Sequence, residues 1–127
     1  MSNGRSNSAM LASMLLFLML VFYSEMVHAK TYSVGDESGW TYNLTDWIQG
    51  KHFKIGDRVV FKYDPRKHDV VAIIGNKYAY DECTTPPKTI VYDTGNDEFL
   101  LSGGVNYFIS KIPGQCEAGL KFAIETE

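Results

Sequence analysis

The feature that most constrains this chain is its punctuation. Turn-forming residues punctuate the chain from position 30 onward, from Gly56 on every 8 to 12 positions, and no long helical pattern lies between them. Gly35, Gly56-Asp57, Asp64-Pro65, Gly75-Asn76, Pro86-Pro87, Gly95-Asn96, Gly103-Gly104 and Pro113-Gly114 mark the breaks. The segments between them are rich in β-branched and aromatic residues, and seven read as strands: 31–34, 58–63, 69–74, 89–92, 98–101, 105–110 and 120–125. Val59, Phe61 and Tyr63 alternate with Arg58 and Lys62, and Leu120, Phe122 and Ile124 alternate with Lys121, Ala123 and Glu125. That period of two marks strands with one apolar face. Short, evenly spaced strands predict an all-β, antiparallel Greek-key sandwich. Residues 76–83 read as a short helix or an irregular crossover, and no repeat, linker or second domain is legible.

Residues 1–29 read as an export signal rather than as part of the fold. Arg5 lies in a polar leader, residues 10–23 form an apolar run broken only by Ser13, and Val27-His28-Ala29 puts small residues where a signal peptidase requires them. The competing reading, a membrane anchor, needs about 20 apolar residues, and Ser24 and Glu25 close the run too early. Cleavage after Ala29 leaves one domain, 30–127, of 98 residues with 11 basic and 14 acidic side chains. A net charge of −3 offers no footprint for nucleic acid or an anionic membrane. No hydrophobic tail for a lipid anchor follows Cys116, so the expected product is secreted, extracellular and monomeric.

The two cysteines, Cys83 and Cys116, both lie in the exported part. In an oxidising compartment a lone pair most simply forms a disulfide, the alternative being two thiolate metal ligands with no histidine near either in sequence. Asn43-Leu44-Thr45 is an N-glycosylation acceptor with meaning only in an exported chain.

A set of motifs occurs in order across about 90 residues: Tyr32-Ser33-Val34-Gly35 with Gly39-Trp40, Asp46-Trp47, Gly50-Lys51 with Phe53, Gly56-Asp57, and Phe61-Lys62-Tyr63. His68-Asp69-Val70-Val71, Cys83-Thr84-Thr85-Pro86, and Tyr107-Phe108-Ile109 with Pro113-Gly114 and Cys116 complete it. Together they resemble the phytocyanins, the secreted plant branch of the cupredoxins, and within it the short plantacyanin or basic-blue type. The resemblance implies a cupredoxin-like sandwich, a disulfide at Cys83 and Cys116, and copper as the family cofactor.

Carried over residue by residue, the metal site mostly fails. A blue-copper centre is a trigonal site of two imidazoles and a thiolate with a weak axial ligand. His68 matches the first imidazole position, Ser110 stands at the thiolate position, Gln115 at the second imidazole, and Leu120 at the axial position. A serine hydroxyl stays protonated near neutral pH and is a poor partner for soft Cu(I), and a glutamine amide is a weak neutral donor. Even a residue that only orients a metal ligand is worth about 10- to 100-fold in affinity, so losing two strong donors costs more. The expectation is therefore no cofactor and no metal.

Simpler readings account for the same positions. Leu120 is in phase with Phe122 and Ile124 as a core side chain; Gln115 hydrogen-bonds within its loop; Ser110 hydrogen-bonds near His68. Ser110 and His68 do not make a nucleophile–base pair, since Asp69, taken as the next residue of a strand, should face away. His52, between Lys51 and Phe53, reads as solvated. Trp40, Trp47, Tyr32 and Tyr42 fill one end of the sandwich in preference to forming a sugar-binding surface. The chain is expected not to be an enzyme. It reads as a phytocyanin-like protein that has lost its copper ligands, with a cell-wall structural or recognition role toward a polysaccharide, glycoprotein or receptor. Relatives without a copper site occur in the early-nodulin-like branch. The alternative is a plantacyanin-type blue-copper electron carrier in which replacement donors recruit the metal.

Overall fold

The computed structural model describes residues 2–27 and 29–127; Met1 and His28, the latter in the expected cleavage site, lie outside the described residues. Helix α1 spans Ser2–Val27 and exposes its apolar side chains from Met10 to Val21. The rest is a two-sheet sandwich. Strands β1 (Thr31–Ser33), β2 (Arg58–Lys62) and β5 (Asn96–Leu100) form one sheet in that order. Strands β4 (Val91–Tyr92), β3 (Val70–Ile74), β6 (Val105–Ile109) and β7 (Lys121–Glu125) form the other. The chain switches sheets after β2, β4 and β5, and every pairing is antiparallel except β1 with β2, which run parallel in the register Thr31↔Arg58. The parallel pair departs from the antiparallel expectation. It is possible because residues 34–57 form a long connection that returns the chain to the starting end of the sheet, a crossover that a tight hairpin cannot make.

Each predicted strand is present, most of them trimmed by a residue or more at one end. The exception in length is β4, reduced to two residues because Pro86 and Pro87 precede it and Lys88 takes a positive φ of 65°. Two short helices were less legible. Residues Thr45–Ile48 make α2, and Lys77–Asp81 make α3, whose N-terminus is capped by the Asn76 side chain accepting from Ala79 N at 3.0 Å.

Between the sheets lies the main core. Val34, Trp40, Phe53, Val59, Phe61, Val70, Phe108, Leu120, Phe122 and Ile124 are buried there, with Tyr32, Tyr42 and Trp47 packed against its edge. The four-stranded sheet is covered on its other face as well. Val71, Ile73, Tyr107 and Ile109 pack with Ala79 of α3 and Cys116 in a second cluster. Burial on both faces explains why residues 106–109 of β6 are continuously buried instead of alternating. The Cys83–Cys116 disulfide, with Cα atoms 5.8 Å apart, closes this second layer.

Candidate functional site

The four positions expected to correspond to a metal site do converge, at the end of the sandwich where β3 begins and the β6–β7 loop folds over. Gly39-Trp40 prepares this end. A side chain at Gly39 would collide with the carbonyl of Lys62, and its φ of 70° suits glycine alone. That close approach lets Trp40 N donate to Lys62 O at 2.9 Å and buries the indole, which is 2% exposed. Trp40 Nε1 then donates to the carbonyl of Asp69 at 2.9 Å and fixes the segment that carries His68. The Tyr42 ring meets the His68 ring edge to face, with centroids 5.9 Å apart.

The β6–β7 loop is closed by its own backbone: Ser110 N donates to Leu120 O at 3.1 Å, Leu120 N to Gln115 O at 2.9 Å, and Gln115 N to Ile112 O at 3.1 Å. Gln115 is the hub of the side-chain network. Its Nε2 donates to the carbonyl of Lys67 at 2.7 Å, which turns Oε1 inward. There Oε1 lies 3.0 Å from His68 Nδ1 and 2.7 Å from Ser110 Oγ. An amide oxygen only accepts, so the proton on this side of the imidazole is carried by Nδ1. Ser110, 2% exposed, also reaches Asp69 Oδ1 at 3.0 Å and accepts from Ile112 N at 3.3 Å. Leu120 is fully buried in the main core and contributes no donor atom.

Asp69 corrects the sequence reading. It was expected to face away, yet its carboxylate accepts from both Ser110 Oγ and the backbone N–H of Lys111, the latter at 2.8 Å. The alternation rule does not reach it, because β3 begins only at Val70 and Asp69 belongs to the preceding loop. No sequence periodicity would have placed it; only its adjacency to His68 hinted at it. Ser110, His68 and Asp69 nevertheless do not form a proton relay. The histidine meets Gln115 rather than the serine, and the hydroxyl is enclosed.

As a donor set the site contains one imidazole, one hydroxyl, one amide and one carboxylate. Both cysteine sulfurs are joined to each other, and among the described residues no group of three or more His, Cys, Asp or Glu side chains is arranged to hold a metal ion. The other histidine of the sandwich, His52, is exposed and pairs with Glu127, Nδ1 to Oε1 2.5 Å, far from this end. Asn43 is exposed in a left-handed conformation, φ 60°, with its backbone N–H on Gly119 O.

A model of the plastocyanin-like domain matches residues 37–120. The chain is similar to chemocyanin of Lilium longiflorum, 40% identical over 122 residues that span 96% of this chain and 94% of that protein. It is likewise similar to the basic blue protein of Arabidopsis thaliana, 39% identical over 128 residues, 98% of each. Among solved structures, cucumber basic protein, a blue copper protein, superposes with a TM-score of 0.71 at 39% identity, covering 76% of this chain and 99% of that one.

Proposed function

The chain belongs to the phytocyanin family of plastocyanin-like proteins, and from that premise we propose that it is a secreted member working without copper, as a non-redox structural or recognition protein outside the plant cell. The observation that carries this reading is the hydrogen-bonded set His68–Gln115–Ser110, joined by Asp69, of which the first three occupy positions expected to match the family's metal ligands. The donors present do not fit a blue-copper ion. Such a centre needs a thiolate and two imidazoles, and here the sulfurs are tied in the disulfide and only His68 supplies a ring nitrogen. The polar atoms that remain satisfy one another, which keeps a partly buried pocket stable with no ion in it.

Export is supported by the apolar run of α1, whose side chains from Met10 to Val21 are exposed and contribute nothing to the sandwich core. Among the described residues no helix is long and apolar enough to cross a membrane. In the Asn43-Leu44-Thr45 site, Asn43 and Thr45 are exposed, which fits a chain that meets the glycosylation machinery. The partner in this reading is an extracellular polysaccharide, glycoprotein or receptor, and capture from wall extract with the secreted protein tests for it.

The decisive experiment is metal analysis of protein secreted by plant cells, followed by titration with Cu(II). The expected product is colourless and remains without an intense visible band. Stoichiometric copper with a strong copper–thiolate absorption overturns the reading in favour of an electron carrier.

A further inference from the structure

The buried carboxylate of Asp57 lies at the point where the leader joins the sandwich. Asp57 is 2% exposed. Its Oδ1 accepts from the backbone N of Lys30 at 2.9 Å, and its Oδ2 from the backbone N of Lys54 at 2.9 Å. The neighbouring peptide groups hold it in place: Arg58 N donates to Lys30 O at 2.8 Å, Leu101 N to Asp57 O at 2.8 Å, and Asp57 N to Lys54 O at 3.0 Å. The recess at this end is lined by Lys30, His52, Lys54 and Asp57, with Asp57 its one carboxylate.

We propose that cleavage of the Ala29–Lys30 peptide bond delivers a new α-ammonium group onto Asp57, so that export processing itself completes the fold by forming a terminal ion pair. This rests on the reading of residues 1–29 as a removable leader. Hydrolysis consumes one water and leaves a carboxylate on Ala29 and an amine on Lys30, which takes up the released proton at neutral pH. Before cleavage the group facing Oδ1 is a neutral peptide N–H; afterwards it is a cation at the same place.

The energetics favour this order. Burying a carboxylate is costly, but Asp57 is buried whether or not the chain is cut, so that cost is common to both forms. Lys30 is exposed, so the ammonium keeps most of its hydration, and the bond to Asp57, already charge-assisted through its carboxylate acceptor, gains a charged donor as well. The negative charge of Asp57 is felt nearby: after burial, it is the second cause that pushes the Tyr32 phenol above its ordinary range. Strand β1, three residues long and at the sheet edge, is the element that a free chain end would otherwise let fray.

The test uses two full chains secreted by plant cells: the native one, and one with two glycines inserted after Ala29. Cut after Ala29, both keep an N–H on Lys30, but the second carries its ammonium two residues farther out. The N-termini are read by mass spectrometry and both products are melted at neutral pH. The proposal predicts a melting temperature lower by about 4 °C or more for the extended chain. The same comparison with Asp57→Asn in both chains abolishes the difference. If that variant is not secreted, a pH series on the original pair serves. The amine gains a partner on folding, so its contribution is present where the amine is protonated and Asp57 is a carboxylate, and disappears as pH rises through the titration of the amine. The side chains of Lys30, Tyr32, His52, Lys54, Arg58 and Glu127 are common to both chains, so the comparison reads the position of the ammonium. A native product cut elsewhere sinks the leader reading and the pair with it. A product beginning at Lys30 that melts no higher than the extended chain overturns the ion pair alone.

Discussion

Gln115 Oε1 stands 3.0 Å from His68 Nδ1, across 47 residues of sequence, and this contact joins the β6–β7 loop to the segment that leads into β3. The same amide holds Ser110 Oγ on one side and the Lys67 carbonyl on the other. Replacing Gln115 by Ala therefore removes three partners at once while leaving Ser110 and His68 half-enclosed. The expected loss is about 1–3 kcal/mol, because unsatisfied polar groups cost more than a made hydrogen bond returns. Urea unfolding measures it, and a change within error would mean that water replaces the amide freely.

The paired substitution Ser110→Cys and Gln115→His restores a thiolate and a second imidazole beside His68. Because the loop is already closed by backbone bonds from Ser110 to Leu120, the new donors are expected to converge and bind Cu(II) with intense visible colour. A colourless protein after copper addition would show that the loop has drifted from a metal-binding geometry.

The Cys83–Cys116 bridge spans 33 positions and ties the end of α3 to the β6–β7 loop. Converting both cysteines to serine should cost about 3–4 kcal/mol by the chain-entropy estimate for a loop of this size. Thermal unfolding with and without reductant checks it; equal melting temperatures would dismiss the bridge as a stabiliser.

Tyr63 donates to the buried carboxylate of Asp97, and its oxygen also lies 3.0 Å from the Tyr92 carbonyl. Burial first, and the Asp97 hydrogen bond second, hold its phenol far above the ordinary range. The folded state thus keeps the proton that the unfolded chain releases near pH 10. Its contribution is complete below that pH and is lost as pH climbs above it. Tyr63→Phe is expected to cost about 1–3 kcal/mol at neutral pH and to flatten the alkaline fall. Denaturation curves from pH 8 to about 11 decide, and parallel curves for the two proteins would reject the assignment.

The two tryptophans should respond differently to substitution. Trp40 Nε1 has a partner in Asp69 O, whereas Trp47 Nε1 is buried with none, the one such side-chain atom among the described residues. Trp40→Phe is expected to cost at least about 1 kcal/mol more than Trp47→Phe, since only the first leaves a carbonyl without its donor. Equal losses in thermal melts would contradict this.

Much of the architecture could be read along the chain, because alternation is a local property. Val59 and Phe61 in β2, and Phe122 and Ile124 in β7, point inward as their spacing demands. The same phase put Leu120 in the core, and the positions of Ser110 and Gln115 showed which donors the loop carries. What tertiary structure alone decided was who meets whom. Strand β6 is buried on both faces because α3 and the disulfide cover its second side, a fact absent from its own residues. Asp69 turns toward Ser110 because the Trp40 indole fixes its backbone from 29 residues away. Asp57 receives the Lys30 nitrogen from 27 residues away because β1 lies parallel to β2. Side-chain periodicity is set by neighbouring peptide units, whereas the partner of a buried polar atom is set by how the sheets stack, which no short stretch of sequence encodes.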